Sequence, residues 1–482
     1  PADAPLRRVY VFPHLTFEEY LAGRYLERLS NMGRKVREHL DRSDRWREPV
    51  LMLGEYLCFD RGDFEKLDAL LNRLVPRTPP AEPGDEDWRA VWVAGDLLML
   101  YRRALQKRPQ GDKRVVNRLA ALVEAGALTP RERAAAGRTL ARLDDPRPGV
   151  VTHPGMGVPD LVWCRVPAGP FVMGSAKEEG VTLEHPKTGA PIPVPPDPQA
   201  SGRETPAHVQ NVPYDYWISR YPVTNAQFAA FEADPAGYAN PNWWTRAGLA
   251  WRGDRTAHQP YGGVFDLPNH PVVNVTWYEA VAFSRWLKDK LHVAGSKLKV
   301  WQPHGDLSTF DLQRSAFNLR LPFEAEWEKA ARGGLTLSSI QYPASSIQYQ
   351  ASSIQNRIRR YPWGETPEQD RLTPEHANYD QTGINATSAV GAFPLGRSPY
   401  GVLDLSGNVW EWCQTRWVDN YKDYDKTEDN DEEGESRRVV RGGAFFNFEG
   451  LVRCAYRLRD IPNVVLRFQG FRVVAVPIDA GR

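Results

Sequence analysis

The chain has few of the residues from which disulfide scaffolds are built. Its 482 residues include only 4 cysteines and 5 methionines. The cysteines stand far apart and form no C-x-x-C pair: Cys58, Cys164, Cys413 and Cys454. Isolated cysteines of this kind are typical of buried thiols in a reducing compartment. We therefore expect four buried structural thiols and a cytoplasmic protein.

Net charge and long apolar runs are also missing. Lysine and arginine number 61 and aspartate and glutamate 60, so the formal net charge is only +1 and gives no reason to expect a nucleic-acid partner. No run approaches the roughly 18 apolar residues that a membrane span needs, and the first ten residues lack the pattern of a signal peptide. We expect no membrane partner. Because the chain begins with Pro1 and not with Met, we expect it to be part of a longer protein.

Residues 1–149 are predicted to be all-α. Apolar residues of 14–40 recur near helical spacing, with Thr16 as an N-cap candidate. Further helices are predicted at 46–59, 62–74, 88–106, 113–125 and 129–143. The run DDPRPG at 144–149 then ends this region.

Two phrases in this region resemble the helical segment that follows the ATPase module of NACHT-type signalling NTPases. They are HLTFEEYLAGRYL at 14–26 and GRTLARLDDPRPGV at 137–150. The sequence contains no G-x-x-x-x-G-K-[ST] phosphate loop, so the NTPase itself is not within it. The resemblance implies a helical spacer, or a platform that docks a signalling NTPase module.

Two inserts stand out in the remainder, which is rich in Trp, Gly, Pro and Asn. Residues 338–355 repeat SSIQ at a period of seven, and residues 419–435 are strongly acidic. The repeat lacks the charge pattern of a coiled coil, so we predict a surface loop. For the acidic stretch a solvated loop is the first interpretation, and attraction of a cation or a partner is the alternative.

A co-linear series of motifs in the same part of the chain resembles the formylglycine-generating-enzyme, or sulfatase-modifying factor, domain. The motifs are LVWCRVPAGPFVMGS at 161–175, NHPVVNVTWYEAVAFSRWL at 269–287, LRLPFEAEWEKAARGG at 319–334, YGVLDLSGNVWEWC at 400–413, RRVVRGGAF at 437–445 and GFRVV at 470–474. The resemblance implies an α+β protein, in which residues 150–482 form a C-type lectin-like fold of the formylglycine-generating-enzyme type after the all-α N-terminal region.

The chemistry of that family depends on metals whose ligands are not found at the matching positions. The formylglycine-generating relatives hold copper on two cysteines a few residues after Arg-Gly-Gly, and here 444–449 reads AFFNFE. The related iron sulfoxide synthases use a His-x3-His-x-Glu set, and none of the 10 histidines has that spacing. We therefore expect neither copper nor iron and no enzyme. A formylglycine-generating or iron-dependent sulfoxide-synthase-like oxidase is the alternative.

The stretch 437–474 resembles another branch with this fold, the variable proteins of diversity-generating retroelements. Its motifs RVVRGG, VRCAYR-x-R and GFRVV match the fixed framework of those proteins. Between them, adenine-directed diversification yields NNC codons, which cannot encode Lys, Glu, Gln, Met or Trp. Glu449 and Gln469 are therefore excluded. The remaining free positions are all residues that NNC encodes: Phe446, Asn447, Phe448, Leu451, Leu458, Asp460, Ile461, Asn463, Val464, Val465, Leu466, Arg467 and Phe468.

This resemblance implies a ligand-binding protein. Framework glycines and arginines would fix the backbone, and the free positions would project into solvent and bind a ligand, which we expect to be a protein. The apolar residues of the stretch are irregularly spaced, which agrees with such a surface. In a core strand, apolar residues would recur at a regular spacing. Ordinary core packing of the same side chains is the alternative.

Structural calcium is also implied by the family. The matching segment runs DLSGNVWE at 404–411. Asp404 and Glu411 would supply carboxylate oxygens, and Gly407 and Val409 backbone carbonyls, to a Ca²⁺ ion.

Overall fold

The computed structural model describes most of the chain. The described residues are 15–40, 44–105, 111–153, 155, 157–293, 297–302, 306–311, 317–335, 358–364, 366 and 368–478. The predicted seven-residue repeat at 338–355 lies outside them. The chain forms two compact units, Pro1–Leu128 with Arg142–Asp144, and Thr129–Ala141 with Asp145–Arg482. The last predicted helix falls within the second compact unit as far as Ala141. The predicted domain boundary after residue 149 stays a prediction.

The first unit is helical, as predicted. Its helices are α1 Leu15–Glu27, α2 Met32–Leu40, α3 Arg47–Glu55, α4 Phe64–Leu74, α5 Asp85–Leu105 and α6 Asp112–Ala125. The predicted helix over 14–40 is divided by a turn between α1 and α2. Helix α4 illustrates how the sequence specifies these helices. Asp63 caps it by accepting from the Lys66 amide, and its leucines at helical spacing are buried against the other helices. No helix in the described part of the chain has the length and apolarity that crossing a membrane requires.

Helix α7, Pro130–Arg142, belongs to the second unit as far as Ala141. The Arg133 guanidinium donates to the Ala392 carbonyl at 3.2 Å and to Glu375 at 2.7 Å. A Cβ at Gly137 would come within 2.9 Å of Ala389, so this glycine allows the helix to approach closely. Asn269 donates to the Gly137 carbonyl at 3.1 Å.

Two main sheets organise the second unit. The larger has the strand order β8-β7-β1-β6-β14-β9 and the smaller β12-β11-β10-β13, and β2-β5 and β3-β4 form two-stranded pairs. The strands are β1 Val162–Val166, β2 Gly169–Met173, β3 Thr182–Glu184, β4 Pro191–Pro193, β5 His208–Val212, β6 Tyr216–Ser219, β7 Lys297–Trp301, β8 Leu307–Asp311, β9 Phe317–Arg320, β10 Trp410–Arg416, β11 Arg438–Arg441, β12 Arg457–Asp460, β13 Gln469–Phe471 and β14 Val474–Pro477.

The helices of this unit are α8 Asn225–Ala233, α9 Arg246–Arg252, α10 Trp277–Val293, α11 Glu324–Arg332 and α12 Tyr424–Thr427. Thr224 caps α8, because its side chain accepts from the Gln227 amide. Aromatic side chains of α8 and α10 form the core: Phe228, Phe231, Trp277, Phe283 and Trp286 belong to one buried cluster with strands of both sheets. This mixed architecture agrees with the α+β class predicted.

The acidic stretch at 419–435 is tied to arginines of the same unit. Arg416 pairs with Asp429 at 2.7 Å and with Asp431 at 2.9 Å, and Arg285 pairs with Glu432 at 2.5 Å. Its carboxylates thus serve intramolecular ion pairs, a role that the prediction of a solvated loop did not include.

Candidate ligand-binding face

The stretch 437–474 is built on the smaller sheet. Strand β11 lies between β10 and β12, and β13 pairs in parallel with β10 on the other side. Gly442 and Gly443 follow β11 with positive φ, and a Cβ at Gly443 would lie 2.6 Å from Val452. Only glycine fits this bend without strain.

Buried arginines connect the strands to helix α11. Arg457 donates to both oxygens of Glu324 at 2.7 Å. Arg441 pairs with Glu328 and also donates to the Cys454 and Ala455 carbonyls. Both guanidiniums are fully buried, so each carboxylate compensates a charge that would be very costly alone.

Two further framework arginines fix the ends of the stretch. Arg453 donates to both oxygens of Glu204 at 2.8 Å and to Asp197 at 2.6 Å. Arg472 donates to both oxygens of Glu411, at 2.6 and 2.7 Å. The framework arginines thus act as multi-donor groups on carboxylates and carbonyls, which is the role that the resemblance implied.

Six of the thirteen free positions are exposed, and we call these six the variable face. They are Phe446, Phe448, Ile461, Asn463, Val465 and Arg467. Exposure reaches 55% for Phe448 and 46% for Ile461. The excluded Gln469, in contrast, is only 1% exposed.

Six other free positions are half-buried and border the variable face: Leu451, Leu458, Asp460, Val464, Leu466 and Phe468. Four of them pack against the main core cluster with part of their side-chain surface: Leu451, Leu458, Val464 and Phe468. The alternative of core packing therefore applies in part to these four residues. The Phe468 ring also lies 4.9 Å from the exposed Phe446 ring in an edge-to-face arrangement. Burial raises the pKa of Asp460.

Asn447 does not fit the predicted role. It is 8% exposed, and its side-chain oxygen accepts from the Ala444 amide at 2.8 Å. Its own carbonyl accepts from the Asp380 amide at 3.1 Å. Its amide side chain therefore closes the turn after the two glycines and does not face solvent.

The loop at 461–468 is fixed by backbone contacts to the start of α10. The Trp277 amide donates to the Pro462 carbonyl and the Asn274 amide to the Leu466 carbonyl, both at 3.0 Å. The Trp410 amide donates to the Phe468 carbonyl at 2.8 Å. The backbone is thus held independently of which side chains occupy the exposed positions.

Tyr261 was not found from the sequence. It is 47% exposed and lies beside the variable face, where its hydroxyl accepts from Arg467 at 3.1 Å. Its ring contacts Phe265, which packs on Phe445 below the face. An aromatic residue in the Gly- and Pro-rich run QPYGG was the available signal.

The predicted calcium ligands are engaged by protein groups. Both Glu411 oxygens accept from Arg472, and one also accepts from the Trp327 indole at 2.7 Å. Asp404 accepts from the Gly391 amide at 2.7 Å, and burial raises its pKa to about 6. Calcium at Glu411 would have to displace a guanidinium, so the structure does not assemble these four residues into an open site. Calcium binding stays a prediction.

The cysteines are buried, as predicted, and none is paired with another. Burial raises the pKa of Cys454 to about 12 and of Cys58 to about 11, so both hold their protons at neutral pH. Residues 444–449, directly after Gly443, carry no thiol and do not fit copper held by two thiolates. Among the described residues, no three His, Cys, Asp or Glu side chains are grouped so that they could hold a metal ion.

Comparison with known proteins gives a family match and named relatives. Residues 151–476 match the sulfatase-modifying factor enzyme 1-like domain. A hercynine oxygenase of Mycolicibacterium thermoresistibile is 30% identical over 296 residues, which cover 58% of this chain and 54% of that protein. A formylglycine-generating enzyme of Thermomonospora curvata is 29% identical over 308 residues, or 55% of this chain and 82% of the enzyme. The chain thus spans about half the length of the first relative.

Among solved structures, Treponema denticola variable protein 1 is similar over 64% of this chain and 95% of its own, at 20% identity. Its TM-score is 0.35, which is too low to support a common function. The relatives with higher identity are named as enzymes, so they contradict our expectation that this chain is not an enzyme. With a family match over most of its length, the chain belongs to the sulfatase-modifying factor enzyme 1-like family.

Proposed function

We propose that the variable face binds a protein ligand and that its residues are diversified. The observation that carries the proposal is the contrast in burial along one stretch. Arg438, Arg441, Arg453, Arg457 and Arg472 are all at most 1% exposed, whereas twelve of the thirteen free positions reach solvent. A backbone held by buried ion pairs tolerates replacement of exposed side chains, which is what a diversified surface requires.

The chemistry of the face supports a protein ligand. Phe446, Phe448, Ile461 and Val465 are all exposed by 40% or more, and Arg467 adds a guanidinium at their edge. Clustered exposed apolar and aromatic side chains with arginine are typical of protein-binding surfaces. Tyr261 would contribute a contact that is not part of the diversified set. The proposal concerns this face and is independent of any reaction that the domain catalyses elsewhere.

Phe446 and Phe445 provide a matched pair for testing exposure. They are adjacent and of the same type, but Phe445 is 2% exposed and Phe446 is 42% exposed. We expect Phe445→Ser to lower the free energy of unfolding by about 3–5 kcal/mol, because it empties a core site. Phe446→Ser should cost less than about 1 kcal/mol. Equal losses in urea unfolding would show that Phe446 is core.

Binding is tested by selecting phage-displayed random dodecapeptides on the immobilised full chain. We expect most of the selected peptides to bind at the variable face. Their affinity for the chain should therefore fall at least tenfold with Phe446→Ser and with Phe448→Ser. Arg246→Gln, an exposed substitution in helix α9, is the control and should leave binding unchanged. Peptides that bind the serine variants as well as they bind the original chain would overturn the proposal.

Diversification has its own test in the neighbouring DNA. We expect a reverse-transcriptase gene and a near-copy of the segment that encodes residues 437–474, differing from it at adenines. If the neighbouring DNA contains neither the reverse-transcriptase gene nor the near-copy, the proposal of diversification is contradicted. Ligand binding is then tested by the peptide experiment alone.

A further inference from the structure

Two arginines lie against one tryptophan in the larger sheet of the second unit. Arg220 directly follows β6, Trp301 ends β7, and both strands flank β1. The guanidinium carbon of Arg220 is 5.2 Å from the Trp301 ring centroid, and that of Arg397 is 5.5 Å from the same centroid. The indole is 7% exposed, so the two cations cover a ring that offers little surface of its own.

Among the described residues, neither guanidinium has a carboxylate within ion-pair distance. No described carboxylate forms an ion pair with Arg220 or Arg397, and the Nε of Arg220 is buried without an acceptor among the described residues. Arg147, Arg320 and Arg472, in contrast, are each paired with a carboxylate within 2.7 Å. Two cations at one ring without an anion leave a local excess of positive charge.

The charges of both arginines converge on the same part of the core. Burial raises the pKa of the Cys164 thiol to about 12, and the positive charges of Arg220, Arg472 and Arg397 act in the opposite direction. Arg472 is already neutralised by Glu411. The uncompensated part of this field therefore comes from Arg220 and Arg397.

We propose that Arg220 and Arg397 form a binding site for a phosphate-type oxyanion. A guanidinium lying against an aromatic ring keeps N–H donors at its edge, and these match the oxygens of phosphate in pairs. Two such groups suit the double charge of a phosphate monoester better than the single charge of a carboxylate. The group would come from free phosphate or from a phosphorylated side chain of a protein.

Calorimetric titration of the full chain tests this site with three probes at matched ionic strength: inorganic phosphate, a phosphoserine peptide and acetate. We expect phosphate to bind at least tenfold more tightly than acetate. Arg220→Gln and Arg397→Gln should each weaken phosphate binding tenfold or more, and Arg246→Gln should not. Tighter binding of the peptide than of inorganic phosphate would identify a phosphorylated protein as the source, and the reverse would identify free phosphate.

Thermal unfolding separates a binding role from simple coverage of the indole. Phosphate should raise the melting temperature of the original chain and of Arg246→Gln, but not that of Arg220→Gln or Arg397→Gln. Arg397 is exposed, so its replacement keeps the test valid even where Arg220→Gln fails to fold. Variants that lose stability yet bind phosphate as before, or an original chain that does not prefer phosphate to acetate, would overturn the proposal.

Discussion

Arg472 and Glu411 form a fully buried ion pair in which both carboxylate oxygens are used. Arg472→Gln would leave the Glu411 carboxylate buried without its cation, and we expect a loss of about 3–5 kcal/mol in the free energy of unfolding. Arg459 is the matched control, because it pairs with the exposed Asp419. Arg459→Gln should cost less than about 1 kcal/mol. Urea unfolding of both variants measures the difference, and similar losses would contradict it.

Asp404 makes the stability of the protein depend on pH. Burial raises its pKa to about 6, above the usual value of about 3.9, so the folded chain holds this proton to a higher pH than the unfolded chain does. Stability from this group is present below about pH 4 and is lost as the pH rises through about 6. Asp404→Asn removes the charge, keeps an acceptor for the Gly391 amide and tolerates the φ of 58°.

We therefore expect Asp404→Asn to be more stable than the original chain at pH 7, by on the order of 2 kcal/mol, and equal to it at pH 4. Urea unfolding across this range measures the difference. A variant that is less stable at pH 7 would contradict the role assigned to burial. Repeating the measurement with added Ca²⁺ tests the calcium prediction, since only the original chain should then gain stability.

Helix α11 and the hairpin of β11 and β12 meet at Glu324. This carboxylate accepts from Arg457 and from the hydroxyls of Tyr421 and Tyr424, at 3.0 and 3.3 Å. Glu324→Gln would leave the buried Arg457 uncompensated, and we expect a loss of about 3 kcal/mol or more. Hydrogen exchange should also become faster at the amides of β12 and of α11.

The control for this junction is Glu449→Gln, on an exposed carboxylate that accepts from Gln199 at 2.8 Å. It should change the free energy of unfolding by less than about 0.5 kcal/mol. If both glutamate variants behave alike, the junction does not depend on the charge of Glu324.

The elements that sequence predicts well are those whose signals are local. The leucines of α4 recur at helical spacing, so the helix predicted over 62–74 follows from a few neighbouring residues. The pairing of Glu411 with Arg472 joins residues 61 positions apart, and no local pattern distinguishes it from a calcium ligand. Tyr261 was missed for the same reason, because its contact with Arg467 joins distant segments of the chain. Asn447 was misjudged because its side chain accepts from the nearby Ala444 amide and closes a turn.

The second unit begins with helix α7. It is tied to that unit by Arg133, by the Asn269 side chain and by the close approach of Gly137 to Ala389, all of them contacts that a boundary at residue 149 would remove. A fragment of residues 129–482 should therefore melt as the second unit does in the full chain. A fragment of residues 150–482 would expose the apolar surface under α7 and leave the acceptors of Arg133 unpaired.

We expect the shorter fragment to melt at least about 5 °C below the longer one, which corresponds to a loss of roughly 4 kcal/mol in the free energy of unfolding of a unit of this size. Calorimetry on both fragments and on the full chain measures this difference. Arg133→Leu in the longer fragment is the corresponding single-residue test. It should reproduce part of the loss, since it removes both the ion pair with Glu375 and the hydrogen bond to the Ala392 carbonyl. Equal melting temperatures of the two fragments would show that α7 does not contribute to the stability of the second unit. They would also support the predicted domain boundary after residue 149.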